Sequence, residues 1–239
     1  VRMNIKEVRD SARERLKGFC RVCRVCNGQL CAGEIPGMGG VGTGASFQNN
    51  IQALANLRVN MRTLHEAKSP QVKLSIFGQE FAAPIMAAPI TATAINTGGA
   101  FQDEEWASII LEACKDTGCL GFTGDGPEPI NFQSGIDAIK CIGSPGIPII
   151  KPRQQSEVIK FIRKAEEAGA LAVGMDVDGA GLIPMKLKGQ PVSPKSEYEL
   201  REIISSTSLP FIVKGIMTID EAEIAASAGA AGIVVSNHG

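Results

Sequence analysis

The sequence of 239 residues lacks the features that mark several classes of protein. Its basic and acidic residues nearly balance, with a net charge of -1, so we expect no basic surface for nucleic acid. No apolar run approaches the roughly 18 residues that a membrane-spanning helix needs. The stretch from Asn4 to Lys17 is charged and polar, unlike a signal peptide. Together with 44% hydrophobic and 21% charged residues, these absences predict a globular cytoplasmic protein.

A complete disulfide framework is also unexpected, because the chain has seven cysteines, an odd number. Four of them form a cluster in which Cys20, Cys23, Cys26 and Cys31 follow the spacing C-x2-C-x2-C-x4-C. This spacing is close to that of iron–sulfur sites, although it is not the ferredoxin run. Four thiolates also suit zinc. The cluster therefore predicts an iron–sulfur or zinc site, with redox disulfides and plain reduced thiols as the alternatives.

A repeating unit begins near residue 84, in which an amphipathic stretch ends in glycine and a short apolar run follows. Gly118, Gly169 and Gly229 occupy this position in three of the repeats. Glycine just after a helix adopts the left-handed conformation that closes the helix. Short apolar runs bounded in this way are typical of strands buried on both faces. The pattern predicts six parallel strands, at about 85–88, 119–123, 147–151, 171–177, 210–214 and 232–236.

Two α/β architectures fit this alternation, a doubly wound open sheet and a (β/α)8 barrel of the TIM type. No GxGxxG sequence follows the first predicted strand, which argues against a dinucleotide-binding sheet. Polar residues at successive strand ends favour the barrel, with about six of its eight strands present. We therefore predict an incomplete (β/α)8 barrel over residues 81–239, preceded by an N-terminal extension over residues 1–80.

The predicted extension contains the four clustered cysteines and a glycine-rich segment from Pro36 to Gly44. Backbone amides in such a segment can cradle a phosphate group. No strand-to-helix turn of the required kind follows it, so a flexible loop is the preferred interpretation.

The polar residues at the ends of the predicted strands are the candidates for chemistry. In a parallel barrel these ends meet on one rim. Polar groups on a rim are often only solvated or cap helices, but charged groups directly on apolar strands must be paired or functional. The candidates are Thr123, Asp125, Lys151, Asp176, Asp178, Lys214, Ser236 and His238.

His238 is the candidate general base, since it follows the apolar run from Gly232 to Val235. A structural role is the alternative for a lone histidine. With Asp178 on the same rim, the carboxylate would hold one ring nitrogen and stabilise the imidazolium, leaving the other nitrogen to accept a proton.

The stretch from Val213-Lys214-Gly215 to Ser236-Asn237-His238-Gly239 resembles the FMN-dependent α-hydroxy-acid oxidase and dehydrogenase family. Weaker matches at Ala82 to Ile90 and at Val177-Asp178 extend the resemblance over roughly residues 45–239. It implies a barrel with FMN at the rim that oxidises a 2-hydroxy acid, such as lactate or glycolate, to the 2-oxo acid. It also implies homo-oligomers, and a C-terminally truncated chain whose seventh and eighth strands and substrate-binding arginine would follow Gly239.

The resemblance implies a role for each matching residue. His238 would be the base, Asp178 would orient it, and Lys214 would lie beside flavin N1 and O2. Ser236 and Thr123 would touch the flavin ring. The backbone of Pro89, Ile90 and Thr91 would line one edge of the flavin.

Two positions depart from the family pattern. Lys151 stands where the family has a substrate-facing tyrosine, so it is a candidate to bind the substrate carboxylate. Asp176 replaces a threonine near the flavin and is therefore a candidate cofactor contact. These departures keep open an FMN barrel with isomerase-type chemistry. The two missing strands keep open an inactive metal-binding fragment. The electron acceptor is left open among oxygen, a quinone, an iron–sulfur partner and another protein.

Overall fold

A computed structural model describes residues 4–34, 40 and 42–239. The glycine-rich segment therefore lies largely outside the described residues, and so does the expectation of a phosphate cradle there. The chain folds as two compact units. The first comprises Val1–Gln71, Thr93–Gln102 and Gly239, and the second comprises Val72–Ala92 and Asp103–His238.

The described residues of the first unit form three helices, α1 (Ile5–Arg15), α2 (Ala45–Asn56) and α3 (Thr93–Asn96). Helix α1 begins with a capping box. The Asn4 side chain accepts hydrogen bonds from the backbone of Lys6 and Glu7, and the Glu7 carboxylate accepts one from the Asn4 backbone at 2.9 Å. These bonds satisfy amide groups that the first helical turn leaves without partners.

The second unit contains two sheets. A short antiparallel hairpin, β1 (Leu74–Ile76) and β2 (Gln79–Phe81), precedes a six-stranded parallel sheet whose strands follow chain order. This hairpin was not predicted, and the expected boundary between residues 80 and 81 falls inside β2. The parallel sheet confirms all six predicted strands. They are β3 (Met86–Ala87), β4 (Leu120–Thr123), β5 (Gly146–Ile150), β6 (Val173–Asp176), β7 (Phe211–Ile216) and β8 (Gly232–Val235).

Helices connect these strands as the repeating unit predicts. Gly118, Gly169 and Gly229 have φ angles of +68°, +76° and +99°, so each closes a helix in the expected conformation. None of the helices in the described residues is both long and apolar enough to cross a membrane. The helices are α4 (Asp103–Thr117), α5 (Pro129–Ile142), α6 (Gln155–Glu167), α7 (Ile183–Leu187), α8 (Glu197–Ser205) and α9 (Ile219–Ser227), with a 3-10 turn at Val177–Gly181.

The six-stranded sheet is apolar on both faces, as a barrel wall must be. On the inner face, Phe122 of β4, Ile149 of β5 and Ile212 of β7 belong to one buried cluster with Phe81 of the hairpin. Side chains from strands β4 and β7 share this cluster because the sheet curves around it. The outer-face cluster includes Phe132, Val158, Val173, Leu200, Phe211 and Val213, from the strands and from α5, α6 and α8. The second unit is thus the predicted incomplete barrel, with β3 and β8 at its two edges.

Candidate active site

Three charged residues sit above the apolar lumen because of strand alternation. Ile149 and Ile212 face the lumen, and successive side chains of a strand point to opposite faces. Lys151 and Lys214, two positions further along, therefore return to the lumen side at its C-terminal end. Asp176 ends β6 and is the direct register partner of Lys214. The sequence of the strands alone thus brings two cations and a carboxylate together.

Asp176 lies at the centre of this charged group. One carboxylate oxygen is 2.5 Å from Lys151 Nζ and the other is 2.9 Å from Lys214 Nζ. Asp176 is 3% exposed and Lys214 is 7% exposed, so these charges are compensated inside the protein. Burial is the largest single influence and favours the neutral acid. The hydrogen bond from His238 and the lysine charges together outweigh it and hold the pKa of Asp176 well below its usual range.

His238 is held by a carboxylate at each ring nitrogen. Its Nδ1 lies 2.7 Å from Asp178 Oδ2 and its Nε2 lies 2.9 Å from Asp176 Oδ2. These two hydrogen bonds, the one to Asp176 first, raise the pKa of His238 above its ordinary value, although burial and the charge of Lys151 act in the other direction. The arrangement therefore favours the imidazolium, in which both nitrogens are donors.

The backbone around His238 and Asp178 is specialised for this contact. His238 has a φ of +62°, a left-handed conformation that costs a non-glycine residue roughly 1–2 kcal/mol. Gly215 has a φ of +103°, and a Cβ atom there would overlap the carboxylate of Asp178. Only glycine at this position lets the Asp178 carboxylate lie against β7 and reach the imidazole.

Asp125 and Arg153 form a buried clamp between the loops that follow β4 and β5. The Arg153 guanidinium donates to both oxygens of Asp125, at 2.9 and 2.7 Å, and to the Gly126 carbonyl at 2.8 Å. The same carboxylate accepts the backbone N–H of Lys151 at 2.9 Å. Asp125 thus fixes the loop from which Lys151 projects. Sequence reasoning missed Arg153, although an arginine two residues after Lys151 at a strand end was the available signal.

The loop after β3 is fixed by a second buried network. The Thr91 hydroxyl donates to the Asn131 carbonyl at 2.8 Å and lies 3.1 Å from Asp103 Oδ1. The Ile90 carbonyl accepts the indole N–H of Trp106 at 3.1 Å. Pro89, Ile90 and Thr91 thus lie on a loop held to α4 and α5, and their predicted contact with a flavin edge stays a prediction.

Thr123 and Ser236 occupy different surroundings. The Thr123 side chain packs against Gly135 of α5, and its hydroxyl is one of three buried side-chain groups in the described chain without a hydrogen-bond partner. Because Phe122 faces the lumen, any contact from Thr123 to a flavin comes from its backbone. Ser236 Oγ accepts the backbone N–H of His238 at 3.4 Å, which places Ser236 next to the base. The flavin contacts of both residues stay predictions.

The chemistry of the donor set on this rim fits FMN. Two lysine ammonium groups at the mouth of an apolar lumen offer N–H donors and positive charge to the flavin ring. Positive charge in a site shielded from water stabilises the anionic form of a reduced flavin. Lys214 would hold the ring from this side.

A metal ion is a poorer match for the same residues. Ligand atoms of Asp176, Asp178 and His238 all lie within 4.8 Å of one another, a separation that suits a metal site. Asp176 is, however, already paired with two ammonium groups, which would repel a cation. The four clustered cysteines lie in the first unit and are all free thiols.

Comparison with known families identifies the chain. The sequence model of the FMN-dependent dehydrogenase family matches residues 37–186 and 185–239. The chain belongs to this family. The resemblance drawn from the Lys214 to His238 motif is therefore confirmed, and so is the expected barrel fold.

Relatives of this family member include oxidases of several 2-hydroxy acids. The chain is 28% identical to 4-hydroxymandelate oxidase of Amycolatopsis orientalis over 84% of its own length and 64% of the relative's. It is 25% identical to glycolate oxidase 3 of Arabidopsis thaliana over 81% of its length and 60% of that protein's. A crystal structure of mandelate oxidase with 3,3-difluoro-2-hydroxy-3-phenylpropionic acid matches with a TM-score of 0.69 and 25% identity, covering 98% of this chain and 67% of that one. The chain thus spans less than two thirds of the length of these two curated relatives.

Proposed function

We propose that the protein is an FMN-dependent enzyme that oxidises a 2-hydroxy acid to the corresponding 2-oxo acid. The observation that carries the proposal is the contact of His238 with Asp178, on a barrel rim that also presents Lys214, in a chain of the FMN-dependent dehydrogenase family. Bound FMN would accept two electrons and one proton from the substrate. The chain's own residues must then bind the acid and accept the remaining proton.

His238 is the group that accepts this proton. Its Nε2 takes the proton of the substrate hydroxyl while Nδ1 keeps its hydrogen bond to Asp178. Asp178 thereby fixes the ring orientation and stabilises the imidazolium that forms. Because Nε2 also bonds to Asp176, that bond must open before the substrate can take its place.

Lys151 is the proposed partner of the substrate carboxylate. Its side chain is 12% exposed and lies beside Nε2 of His238, at 3.4 Å, so a carboxylate bound there would present the neighbouring hydroxyl to the base. A substrate carboxylate would compete with Asp176 for the ammonium group.

The substrate class, the location and the assembly are further parts of the proposal. The relatives' names include 4-hydroxymandelate and glycolate, so small 2-hydroxy acids with aliphatic or aromatic side chains are the compounds to test. A cytoplasmic location is proposed from composition and a homo-oligomer from the family resemblance. Metal binding by the clustered cysteines is a separate proposal.

Anaerobic reduction of the bound flavin tests the proposed function. The purified protein is saturated with FMN, and its absorbance is recorded before and after addition of glycolate, L-lactate or mandelate. We expect at least one acid to bleach the oxidised flavin bands and to yield one 2-oxo acid per flavin. Failure to bind FMN, or bound flavin that none of the acids reduces, would overturn the proposal.

A second candidate is isomerase-type chemistry on the same barrel. The observation that favours it is the position of His238 between the carboxylates of Asp176 and Asp178, because two such contacts favour the protonated ring, which can donate a proton. Conversion of a substrate without net reduction of the flavin would support this candidate over oxidation.

A further inference from the structure

The clustered cysteines lie on a segment of irregular backbone in the first unit. Residues 20–31 contain no helix or strand, and Cys20, Cys23 and Cys31 are half-buried while Cys26 is exposed. Two residues separate each cysteine of the first three from the next, as in the C-x2-C-x2-C run of cluster-binding proteins. A loop that carries several thiols at this spacing can turn all of them toward one centre.

The local backbone is arranged around sulfur. The N–H of Val22 donates to Cys20 Sγ at 3.4 Å. Val22 has a φ of +47°, which is unusual for a β-branched residue. Hydrogen bonds from backbone amides to cysteine sulfur are among the features that tune iron–sulfur clusters. Between Cys26 and Cys31, the buried Gly28 packs so closely against Phe47 that a Cβ would overlap its ring.

An ion pair joins the two ends of the cysteine segment. The Arg21 guanidinium, next to Cys20, donates to both oxygens of the Glu34 carboxylate, at 2.7 and 2.8 Å. Because Glu34 lies three residues after Cys31, the pair brings the chain after the last cysteine back to the first one.

The separation of the sulfurs distinguishes a cluster from a single ion. A tetrahedral zinc ion with Zn–S bonds of about 2.3 Å holds its sulfurs roughly 3.8 Å apart. Among the described residues, no three of these cysteines have sulfurs within 4.8 Å of one another. A cluster of several irons spreads its four thiolates further apart than one ion does.

We propose that Cys20, Cys23, Cys26 and Cys31 bind a 4Fe–4S cluster in the first unit of the fold. The spacing and the amide bond to Cys20 carry this inference, and the sulfurs do not lie at the separation that a single zinc ion needs. It concerns residues of the first unit alone and does not depend on the proposed oxidation of a hydroxy acid.

Metal and sulfide analysis tests the cluster. The protein is purified without oxygen, both as isolated and after reconstitution with ferrous iron and sulfide. We expect about four irons and four sulfides per chain, with a paramagnetic signal after reduction by dithionite. Chemical analysis and magnetic resonance are chosen because flavin and cluster absorb in the same region of the visible spectrum.

Serine variants identify the ligands. Cys20→Ser, Cys23→Ser, Cys26→Ser and Cys31→Ser should each lower iron and sulfide content several-fold, whereas Cys141→Ser, at an exposed cysteine outside the cluster, should leave both unchanged. Fluorescence of Trp106, the single tryptophan, reports whether the barrel unit of each variant is folded. Wild-type protein with about one zinc and no sulfide would overturn the cluster in favour of a single ion. Protein without metal, or iron and sulfide retained in all four serine variants, would overturn the site altogether.

Discussion

At the scale of the residue, the unusual feature is a histidine bonded to carboxylates through both ring nitrogens. Asp178 at Nδ1 is the partner expected of a general base, because it orients the ring and stabilises the imidazolium. Asp176 at Nε2 occupies the side from which a substrate hydroxyl would approach. Asp176 therefore competes with the substrate hydroxyl for Nε2 and favours the protonated form of His238.

The pH dependence of flavin reduction should reveal this competitor. His238 accepts a proton only when it is neutral, so the rate of flavin reduction should rise with pH as His238 loses its proton. Because the pKa of His238 is raised, we expect this rising part of the pH profile to lie above the ordinary pKa of histidine. Asp176→Asn removes the carboxylate at Nε2, the larger cause of the raised pKa, so we expect the midpoint of the limb to move to lower pH. Stopped-flow reduction across a pH series measures the midpoint.

Asp178→Asn is the matched control for this prediction. It also removes a carboxylate from His238, but from the nitrogen that orients the ring, so the maximal rate should fall along with the midpoint. An unchanged midpoint in Asp176→Asn would show that Asp176 does not set the protonation of the base.

Lys151 should govern affinity for the acid. Lys151→Met removes the ammonium group proposed to bind the substrate carboxylate, and loss of a hydrogen bond to a charged group costs about 1.5–3 kcal/mol. We expect KM for the preferred acid to rise roughly 10- to 100-fold, with a smaller change in kcat. Lys151→Arg, which keeps the charge, should recover part of the affinity in the same steady-state assay. An unaltered KM in Lys151→Met would assign carboxylate binding to another group.

Much of the site could be predicted from sequence, because strand ends of a parallel barrel meet on one rim. Lys151, Asp176, Lys214 and His238 were predicted as rim residues, and the structure brings their side chains together. The bond from Asp176 to His238 was not predicted. Its cause is the register of β6 against β7, together with the left-handed backbone of His238, neither of which is visible in a motif.

At the scale of the element, the clamp between Asp125 and Arg153 joins the ends of neighbouring strands. Arg153 is 6% exposed and Asp125 is 3% exposed, so each needs the other's charge. The guanidinium also lies 4.9 Å over the ring of Phe161, on α6. The clamp ties the residues that follow β4 and β5 to α6 on the rim side, beyond the positions at which β4 and β5 pair.

Breaking the clamp should be costly. Arg153→Met leaves the Asp125 carboxylate buried without its partner, and removal of one member of a buried pair costs about 3–5 kcal/mol. Asp125→Leu should cost a similar amount, and the double variant should cost less than the sum of the two. Urea unfolding followed by Trp106 fluorescence gives the free energy of unfolding of the barrel unit.

An exposed ion pair supplies the control for the clamp. Arg163 and Glu166 lie 2.6 Å apart on α6, with Arg163 55% exposed. Arg163→Met should change the free energy of unfolding by less than about 1 kcal/mol. Equal effects of Arg153→Met and Arg163→Met would contradict a structural role for the clamp.

The elements of the barrel were predictable where local chemistry repeats. Apolar runs located all six parallel strands, and a glycine after the preceding helix marked three of them, at Gly118, Gly169 and Gly229. The hairpin of β1 and β2 was missed because its strands are three residues long and only Phe81 among them is buried. Such short, mostly exposed strands carry little hydrophobic pattern, and Phe81 is held by the lumen cluster rather than by local preference.

At the scale of the whole molecule, the rim charges link stability to pH. The pKa of Asp176 is lower in the folded protein than in the unfolded chain, so its contribution to stability is present above its unfolded pKa and is lost as the pH falls. The pKa of His238 is higher in the folded protein. Its contribution is therefore complete below its unfolded pKa, and it is lost as the pH rises through the folded value.

This linkage predicts a barrel unit that loses stability in acid. Below about pH 4, near the ordinary pKa of aspartate, the free energy of unfolding of the wild type should decrease as protons bind the unfolded chain. Asp176→Asn lacks this carboxylate and should show a shallower decrease over the same range. Urea unfolding from pH 2 to 7, followed by Trp106 fluorescence, makes the comparison. Parallel curves for the two proteins would contradict the lowered pKa of Asp176.

The most direct test of the central claim is the rate of anaerobic flavin reduction in His238→Gln, compared with the wild type. Glutamine retains a polar side chain but cannot accept the substrate proton, and general base catalysis contributes about 10²- to 10⁴-fold. We predict that His238→Gln still binds FMN and that its flavin is reduced by the preferred 2-hydroxy acid slower by a factor in that range. Reduction at the wild-type rate would contradict the account, because the base would then not be His238.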